Sequence, residues 1–474
     1  MATSEEAIPT RPPDHEITGE ERLAELGYES RFHRRLSLTG NMSLTLSDIT
    51  PTGSLLSVGL AVVAIAGTGS MIAYLAGAFI AVMVAYCMAE LGAAFPVSGG
   101  IYSIVGRVLG RHVAFLALVG YCVQAIFLPA TIALAIGTYL NSLDSNLDVG
   151  IWSAVAMVVV TIMALLRIQT NAVMTGIFLT LEVIVIIVIA VAGFANISQP
   201  LSVFAQAQGV AGGQLAPLGL GAVVGAIAVA LQSVNGYDAA IAFAEETKGA
   251  CRTIGKAVLY TCLVGVVLEL AAFIGAALGA PSLKTYLTSS TPLTYVVEAH
   301  WGHTVGIVVV AGAILALFNA CLAITLQFAR ILWASGRDRV WPEAISRPLH
   351  QTWERTHAPW VATLFIGALA VVLCLTLSLV ATVTFVAVFT IANYVFVAIA
   401  AIVYRVQSPH GIRPFSMLLW PVPPVIAGVG SLLAISQQTH KDIVIVAGLF
   451  ILGLLYSTLY VRRKRIDVTA LTAE

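Results

Sequence analysis

Long stretches without a charged side chain constrain this chain more than any other feature. Residues 49–89 contain no Asp, Glu, Lys or Arg, and similar runs recur to the end of the sequence. Over the whole chain 59% of residues are hydrophobic and 10% are charged, whereas about 25% are charged in soluble domains. One water-soluble core has no room for so much apolar volume, so we expect lipid to surround most of this protein.

A helix needs about 20 apolar residues to cross the hydrocarbon core of a bilayer. The sequence predicts twelve such helices, near residues 43–66, 71–94, 113–139, 150–166, 169–194, 218–247, 257–279, 304–329, 359–380, 382–404, 417–437 and 442–461. With the N-terminus in the cytoplasm, 22 of the 24 lysines and arginines lie inside, and only Lys284 and Lys441 lie outside. This positive-inside bias predicts a multi-pass protein of the cell membrane with both termini cytoplasmic.

Two of the predicted spans are interrupted by polar residues and helix breakers. In the first, residues 50–54, Pro51 removes a backbone donor and Gly53 relaxes the chain. The sixth carries the polar run 232–238 at membrane depth. Such backbone is tolerated only where protein or a water-filled cavity satisfies it. Breaks at corresponding positions of two halves indicate a transporter site between inverted repeats, although Pro51 alone could simply kink a helix.

Three motifs in this order resemble the amino acid–polyamine–organocation permeases: residues 89–102 (AELGAAFPVSGGIY), 235–247 (NGYDAAIAFAEET) and 329–343 (ARILWASGRDRVWPE). The resemblance implies an all-α membrane fold of the LeuT type. Its expected parts are inverted five-helix repeats at 43–194 and 218–404, two added helices within 405–461, and cytoplasmic tails at 1–42 and 462–474. Members take up or exchange amino acids, polyamines and related amines, often with a proton. Their substrate site lies at the breaks in spans one and six.

Backbone N–H groups left unpaired at the first break would attract a carboxylate, and polar groups at the second break could hold an ammonium. The candidate substrate-binding residues are Thr50, Thr52, Gly53, Ser54, Ser233, Asn235 and Gly236. The sequence departs from the family at both breaks. The first reads Pro-Thr-Gly-Ser instead of a glycine-rich run, and the sixth span lacks the usual aromatic gating residues. These departures leave room for a longer or more polar amine, or a γ-amino acid.

Charged residues inside the predicted spans are candidates for ion coupling. Glu182 lies in the middle of span five, where a charge costs about 2.5–3.5 kcal/mol on insertion scales. We interpret it as a proton-coupling or cation-binding residue, with a structural hydrogen bond to a neighbouring helix as the alternative. Asp238 is a second coupling candidate, for which capping of the following half-helix is the favoured alternative. Asp48 is open to the same two interpretations, ion coupling and helix capping, and capping is again favoured.

Charges at the predicted cytoplasmic mouth are candidates for an inner gate. Glu90, Glu245 and Arg330 could form ion pairs there. An equal alternative is that they are ordinary interfacial side chains whose charged ends extend into water. The nine histidines show no metal-ligand spacing, so we predict no metal site and no cofactor.

The sequence favours a secondary carrier for an amino acid or small amine, driven by a proton gradient. The predicted partners are therefore the small substrate, the proton or another coupling ion, and the lipid bilayer, with no nucleic acid. An exchanger, a sodium symporter and a non-transporting nutrient sensor are the alternatives. No P-loop and no nucleophile–base pair is visible at depth, which argues against an ATP-driven pump or an enzyme. No oligomeric state is predicted.

Overall fold

A computed structural model describes residues 19–26, 32, 34–289, 291–409 and 413–461, which are mostly helical. The α-helices are, in chain order, α1 Gly19–Glu25, α2 Leu38–Ile49, α3 Pro51–Ala66, α4 Ser70–Ala94, α5 Ile101–Leu109, α6 Arg111–Leu143, α7 Val149–Ala164, α8 Ile168–Ala195, α9 Leu220–Ser233, α10 Ala239–Ala242, α11 Ala250–Gly279, α12 Leu283–Thr288, α13 Pro292–Trp301, α14 His303–Arg337, α15 Glu343–Leu349, α16 Trp360–Thr376, α17 Leu379–Gln407, α18 Val422–Ser436 and α19 His440–Tyr456. Short 3₁₀ turns cover Gly67–Gly69, Leu201–Phe204 and Ala244–Glu246, and a π turn covers Ser457–Val461.

Each predicted span coincides with one of these helices or with two half-helices in sequence. Seven helical segments of the described chain are long and apolar enough to cross a membrane, and one of them, Leu38–Ala94, comprises α2, α3 and α4. Four shorter apolar helices, α7, α9, α16 and α18, have 10–17 residues each. The protein is therefore an all-α membrane protein, as the predicted spans and the family resemblance imply.

The outer surface of the helices explains where the excess apolar residues lie. Large aliphatic side chains point outward from α7, α8, α16, α18 and α19, and include Ile162, Val173, Leu375, Val429 and Leu452. Soluble monomers rarely expose contiguous apolar patches of this extent. These side chains therefore face the lipid.

The two interrupted helices lie side by side in the interior. Half-helix α3 packs against α9, and α2 packs against α10 and α11. Helices α4, α6, α8, α14 and α17 pack around them. This arrangement places the first break, at Thr50, beside the second, at residues 234–238, and side chains of the surrounding helices reach one break or the other.

A small antiparallel hairpin lies between α8 and α9, where the sequence predicts only a connection. Strand β1, Gln208–Ala211, pairs with β2, Gln214–Pro217, with Ala211 opposite Gln214. Gly212 and Gly213 form the turn with φ of +56° and +74°, values that glycine adopts without steric cost. A Cβ on Gly67 would lie 1.8 Å from the carbonyl oxygen of Gln208, so the hairpin rests directly on the end of α3.

Candidate functional site

The first break is a single residue between two helices, α2 and α3. Helix α2 ends at Ile49, Thr50 adopts a left-handed conformation with φ of 44°, and Pro51 begins α3. Proline has no N–H to donate, and its ring would clash with the preceding turn of a continuous helix. Proline is therefore well placed as the first residue of α3, and the chain is forced to restart there.

Glu182 of α8 closes this break. Its Oε1 accepts hydrogen bonds from the Thr50 hydroxyl and from the Thr52 backbone N–H, both at 3.0 Å, and the Thr52 hydroxyl donates to the Glu182 carbonyl at 2.9 Å. Glu182 is 1% exposed. The N-terminus of a helix carries a partial positive charge, so a carboxyl group is electrostatically matched to this position. The Thr52 N–H expected to meet a substrate carboxylate thus already has a partner in the protein.

The other two candidates in the first break serve the backbone itself. The Ser54 hydroxyl donates to the carbonyl of Ile49 at 2.8 Å, which satisfies an acceptor that the end of α2 leaves open. A Cβ on Gly53 would lie 2.6 Å from the Thr50 hydroxyl and 3.2 Å from the side chain of Leu317 on α14. Gly53 therefore lets the break approach α14 closely.

The second break is longer. Helix α9 ends at Ser233 and α10 begins at Ala239, with Gly236 at φ of +119° between them. A Cβ on Gly236 would lie 2.7 Å from the backbone nitrogen of Ile49 and 2.8 Å from the carbonyl carbon of Asp48. The breaks predicted from the sequence therefore touch through their backbones at this glycine.

Side chains from α6, α14 and α17 hold the second break. The Tyr394 hydroxyl donates to Oδ1 of Asn235. Oδ2 of Asp238 accepts from the Tyr121 hydroxyl at 2.7 Å and from the Gln327 amide at 3.1 Å. Asp238 precedes α10 but makes no capping bond to it, so the capping interpretation of this residue is wrong. Its carboxyl instead ties the break to α6 and α14.

Asp48 is not a cap either. It lies in the last turn of α2, where a carboxylate meets the negative end of the helix dipole and has no N–H to accept from. It is 5% exposed, and its Oδ2 has no hydrogen-bond partner among the described residues. A Cβ on Gly236 would approach Asp48 Oδ1 to 2.8 Å, so this acid lies directly against the second break.

The sequence interpretation missed a fourth buried acid near the breaks, Glu269 of α11. Its Oε2 is hydrogen-bonded to the Tyr74 hydroxyl of α4 at 2.9 Å and to the Ser233 hydroxyl at 3.1 Å. The Tyr74 and Ser233 hydroxyls are also hydrogen-bonded to each other. The signal was available, because Glu269 is a lone acid within an apolar predicted span, as Glu182 is. Ser233, predicted to bind substrate, is thus engaged by two protein side chains.

Comparison with known proteins bears directly on these breaks. A sequence model described as amino acid permease matches residues 36–458, a range that includes both. The chain belongs to the amino acid permease family. Its relatives include amino acid permeases of the amino acid–polyamine–organocation group, and one is named a methylthioribose transporter. The resemblance seen in the three motifs is therefore confirmed, and the family is one of transporters rather than enzymes.

Three relatives show the range of the family. The branched-chain amino acid permease BcaP of Bacillus subtilis (strain 168) is 25% identical over 93% of this chain and 96% of its own length. The serine/threonine exchanger SteT of the same organism is 25% identical over 87% of this chain and 93% of its own length. Cationic amino acid transporter 4 of Mus musculus is 25% identical over 81% of this chain, which spans only 62% of that protein.

The gate candidates of this permease lie in ion pairs at one end of the bundle. The Arg405 guanidinium of α17 donates to both carboxyl oxygens of Glu90 on α4. Arg330 of α14 is paired with Glu246, at 3.0 Å between its Nη2 and Oε1. Glu245 is paired with Arg337 at 2.7 Å. Glu245 and Arg330 therefore each have a different partner, although both lie in the same cluster.

This cluster is buried, unlike ordinary interfacial charges. The side chains of Arg330 and Glu246 are 3% and 4% exposed, and the Arg330 guanidinium also lies 5.1 Å from the centre of the Phe243 ring. Breaking a buried ion pair costs about 3–5 kcal/mol, because an uncompensated charge remains. The ion pairs therefore hold α4 to α17 through Glu90 and Arg405, and α14 to the residues after α10 through Glu245 and Glu246.

Proposed function

We propose that this permease is a secondary active transporter that carries an amino acid or small amine across the cell membrane by alternating access, driven by a proton gradient. The observation that supports the proposal is the direct contact of two helix breaks in the interior, with buried carboxyl groups at each. Regular helices offer no free backbone groups to a solute. Breaks do, and they also supply the points at which half-helices can move.

The proposal includes the topology. Twelve crossings arise if α2–α3 and α9–α10 each count as one broken span and the shorter helices α7, α16 and α18 also cross. The inverted repeats would then be 43–194 and 218–404, followed by two helices within 405–461. The excess of Lys and Arg on one side favours cytoplasmic termini, including the tails 1–42 and 462–474, of which residues 1–18 and 462–474 lie outside the described residues.

Both breaks contribute to the proposed substrate site, through Thr50, Thr52, Gly53, Ser54, Ser233, Asn235 and Gly236. The geometry favours an amino group near Glu182. Its Oε1 accepts a hydrogen bond from the Thr52 N–H, whereas its buried Oε2 has no hydrogen-bond partner among the described residues. An ammonium placed there would satisfy this oxygen and balance its charge.

Glu182 also suits the coupling role. A proton and a substrate ammonium neutralise the same carboxylate, so their binding there is linked. Protonation of Glu182 also weakens the hydrogen bond that its Oε1 accepts from the Thr52 N–H, and the start of α3 is then held less tightly. Asp238 would transmit movement of the second break to α6 and α14 through Tyr121 and Gln327.

The buried ion pairs serve as the inner gate of the proposal. Glu90, Glu245 and Arg330 with their partners close the end of the bundle that the charge bias assigns to the cytoplasm. A change to a conformation in which these ion pairs are broken would expose the two helix breaks to the cytoplasm.

The test is uptake into proteoliposomes under an imposed inward proton gradient, using labelled branched-chain, cationic and hydroxyl amino acids and small amines. Saturable uptake that collapses with a protonophore supports symport, and we expect Glu182→Gln to abolish that accumulation. Glu298→Gln, at an exposed acid paired with His303, is the matched control and is expected to behave as wild type. Uptake that is indifferent to the proton gradient would contradict the coupling.

An exchanger is the second candidate, because one relative is named a serine/threonine exchanger. It predicts uptake that depends on substrate loaded inside the vesicle and needs no proton gradient. A sodium symporter predicts uptake driven by sodium alone. A non-transporting sensor predicts substrate binding without saturable flux.

A further inference from the structure

Glu269, Tyr74 and Ser233 form a closed ring of three oxygen atoms that joins three helices. The ring consists of Glu269 Oε2 from α11, the Tyr74 hydroxyl from α4 and the Ser233 hydroxyl from the last residue of α9, and each atom is hydrogen-bonded to the other two. All three residues are fully buried. The Tyr74 ring is fixed by stacking on Phe273 at 4.7 Å between ring centres.

Counting hydrogens in this ring points to a protonated acid. With one hydrogen in each of its three hydrogen bonds, the ring needs three hydrogen atoms, and the Tyr74 and Ser233 hydroxyls supply one each. Among the described residues no other polar hydrogen is bonded to these three oxygen atoms, so we assign the third to Glu269. A protonated Oε2 donates to one hydroxyl, which donates to the second, which donates back to Oε2.

We propose that Glu269 is a proton-binding residue of this permease and that its proton controls the second helix break. With the proton, the ring ties the end of α9 to α4 and α11. Without it, two hydrogens remain for three contacts, and a negative charge lies beside the carbonyl end of α9, where the helix dipole is also negative. Loss of the proton therefore opens one contact of the ring and places a negative charge at the end of α9, which favours movement of Ser233 and the residues that follow it.

Among the described residues, the neighbours of Glu269 offer no cation to replace the proton. The titratable groups around it are Tyr74 of α4, Cys262 of its own helix and Glu182 of α8, with Tyr286 of α12 on the far side of Tyr74. Of the other elements packed on α11, α2 contributes Asp48, which faces the second break, and α13 contributes Glu298, which is paired with His303. The basic residue of α13, His300, is hydrogen-bonded to the carbonyl of Gly279 at the last residue of α11, ten residues beyond Glu269. The basic residues of α1 and of the first turns of α11 lie at the opposite end of α11.

The free oxygen of Glu269 points to the same conclusion. Oε1 is buried and has no hydrogen-bond partner among the described residues. A carboxylate would leave about half of its charge on this atom without compensation, at a high cost in a low-dielectric interior. A protonated acid leaves only a neutral carbonyl there.

The first experiment observes the proton directly and does not depend on transport. Infrared spectra of the purified full-length protein at neutral pH, in H₂O and D₂O, would be recorded for wild type, Glu269→Gln and Glu182→Gln. We expect a protonated-carboxyl band that shifts in D₂O and is lost in Glu269→Gln. Its retention at full intensity in Glu269→Gln would overturn the proposal.

The second experiment links the proton to function, and in this respect it rests on the proposed function. The amide of a glutamine at position 269 can donate hydrogen bonds within the ring, but it cannot bind and release a proton during the transport cycle. We therefore expect Glu269→Gln to keep substrate exchange within about twofold of wild type and to lose proton-driven accumulation at least tenfold. Equal accumulation in mutant and wild type would exclude a coupling role. If wild type moves no substrate, the proposed function fails, and the infrared result still decides the proton site.

Two further variants cover the case in which Glu269→Gln does not fold. Tyr74→Phe and Ser233→Ala each remove one hydroxyl from the ring and leave the acid in place. Each is expected to shift the protonated-carboxyl band, because the hydrogen-bond partners of Glu269 change. Thr261→Ala is the matched control, since Thr261 is a buried hydroxyl of the same helix that bonds only to its own helix. A band that both ring variants leave unmoved would overturn the proposal.

Discussion

The two broken helices meet in one place but are held in opposite ways. At the first break, Glu182 accepts hydrogen bonds at the N-terminal end of α3. At the second, Glu269 approaches the C-terminal end of α9 through Ser233. A helix presents N–H donors at its start and carbonyl acceptors at its end. A glutamate therefore acts as a hydrogen-bond acceptor at the first break, through Glu182. In our proposal, another glutamate, Glu269, acts as a hydrogen-bond donor at the second break.

The breaks differ in length as well. A single residue, Thr50, separates α2 from α3, whereas residues 234–238 separate α9 from α10. A one-residue break acts as a hinge with few open backbone groups. The longer break exposes more groups and relies on Tyr394, Tyr121 and Gln327 to hold it. We therefore expect the second break to be the more sensitive to changes in packing.

The largest effect is expected at the point where the breaks touch. Gly236→Ala would place a methyl group 2.7 Å from the Ile49 nitrogen at a φ of +119°, and backbone strain and overpacking together cost about 3 kcal/mol or more. We expect transport to be lost and the thermal unfolding midpoint in detergent to fall. Gly225→Ala, in α9 with nothing within 4 Å of its Cβ, should be neutral or stabilising. Equal behaviour of the two variants would show that the breaks do not touch.

A smaller effect is expected at the first break. Glu182→Ala leaves the Thr50 hydroxyl and the Thr52 N–H without their acceptor, and hydrogen bonds to a charged group contribute about 1.5–3 kcal/mol. Glu182→Gln keeps an acceptor at the same place and should lose less than half as much stability. Thermal unfolding of both variants measures the difference. Equal losses would mean that Glu182 does not act as the acceptor for α3.

The positions of both breaks were predictable because they depend on local chemistry. Pro51 cannot continue a helix, and Gly236 with its polar neighbours cannot form regular helix inside lipid without partners. The polar side chains that complete the site were harder to predict. Tyr74, Tyr121 and Tyr394 lie in three different spans, and no periodicity shows which of many buried tyrosines will face a break.

Charge pairing shows the same limit. The motif that contains Glu245 and Glu246 predicts acids at the end of the bundle, but adjacent residues on a tight turn face different neighbours. Only the three-dimensional arrangement assigns Glu246 to Arg330 and Glu245 to Arg337. Glu269 is a different case, because the rule that singled out Glu182 applies to it equally and should have been applied.

A still smaller effect is expected at Tyr394. Tyr394→Phe removes one neutral hydrogen bond to Asn235, which contributes about 0.5–1.5 kcal/mol. We expect KM for the substrate to rise about two- to tenfold while the protein remains folded. Tyr260→Phe, at a tyrosine 46% exposed on α11, is the control and should leave KM unchanged. An unaltered KM in Tyr394→Phe would remove Asn235 from the substrate site.

The smallest effect separates two buried serines of the same half-helix. The Ser54 hydroxyl donates to the Ile49 carbonyl, which the break leaves without a helical partner, whereas the Ser57 hydroxyl donates to the Gly53 carbonyl four residues earlier in α3. Ser54→Ala therefore leaves a buried acceptor open at a cost of about 1 kcal/mol. Ser57→Ala removes only a second bond to a carbonyl already paired within the helix, and alanine favours helix. A lower unfolding midpoint for Ser54→Ala than for Ser57→Ala is expected. The reverse order would mean that α2 and α3 are joined as a continuous helix in the membrane, and the contrast between the two breaks would then be lost.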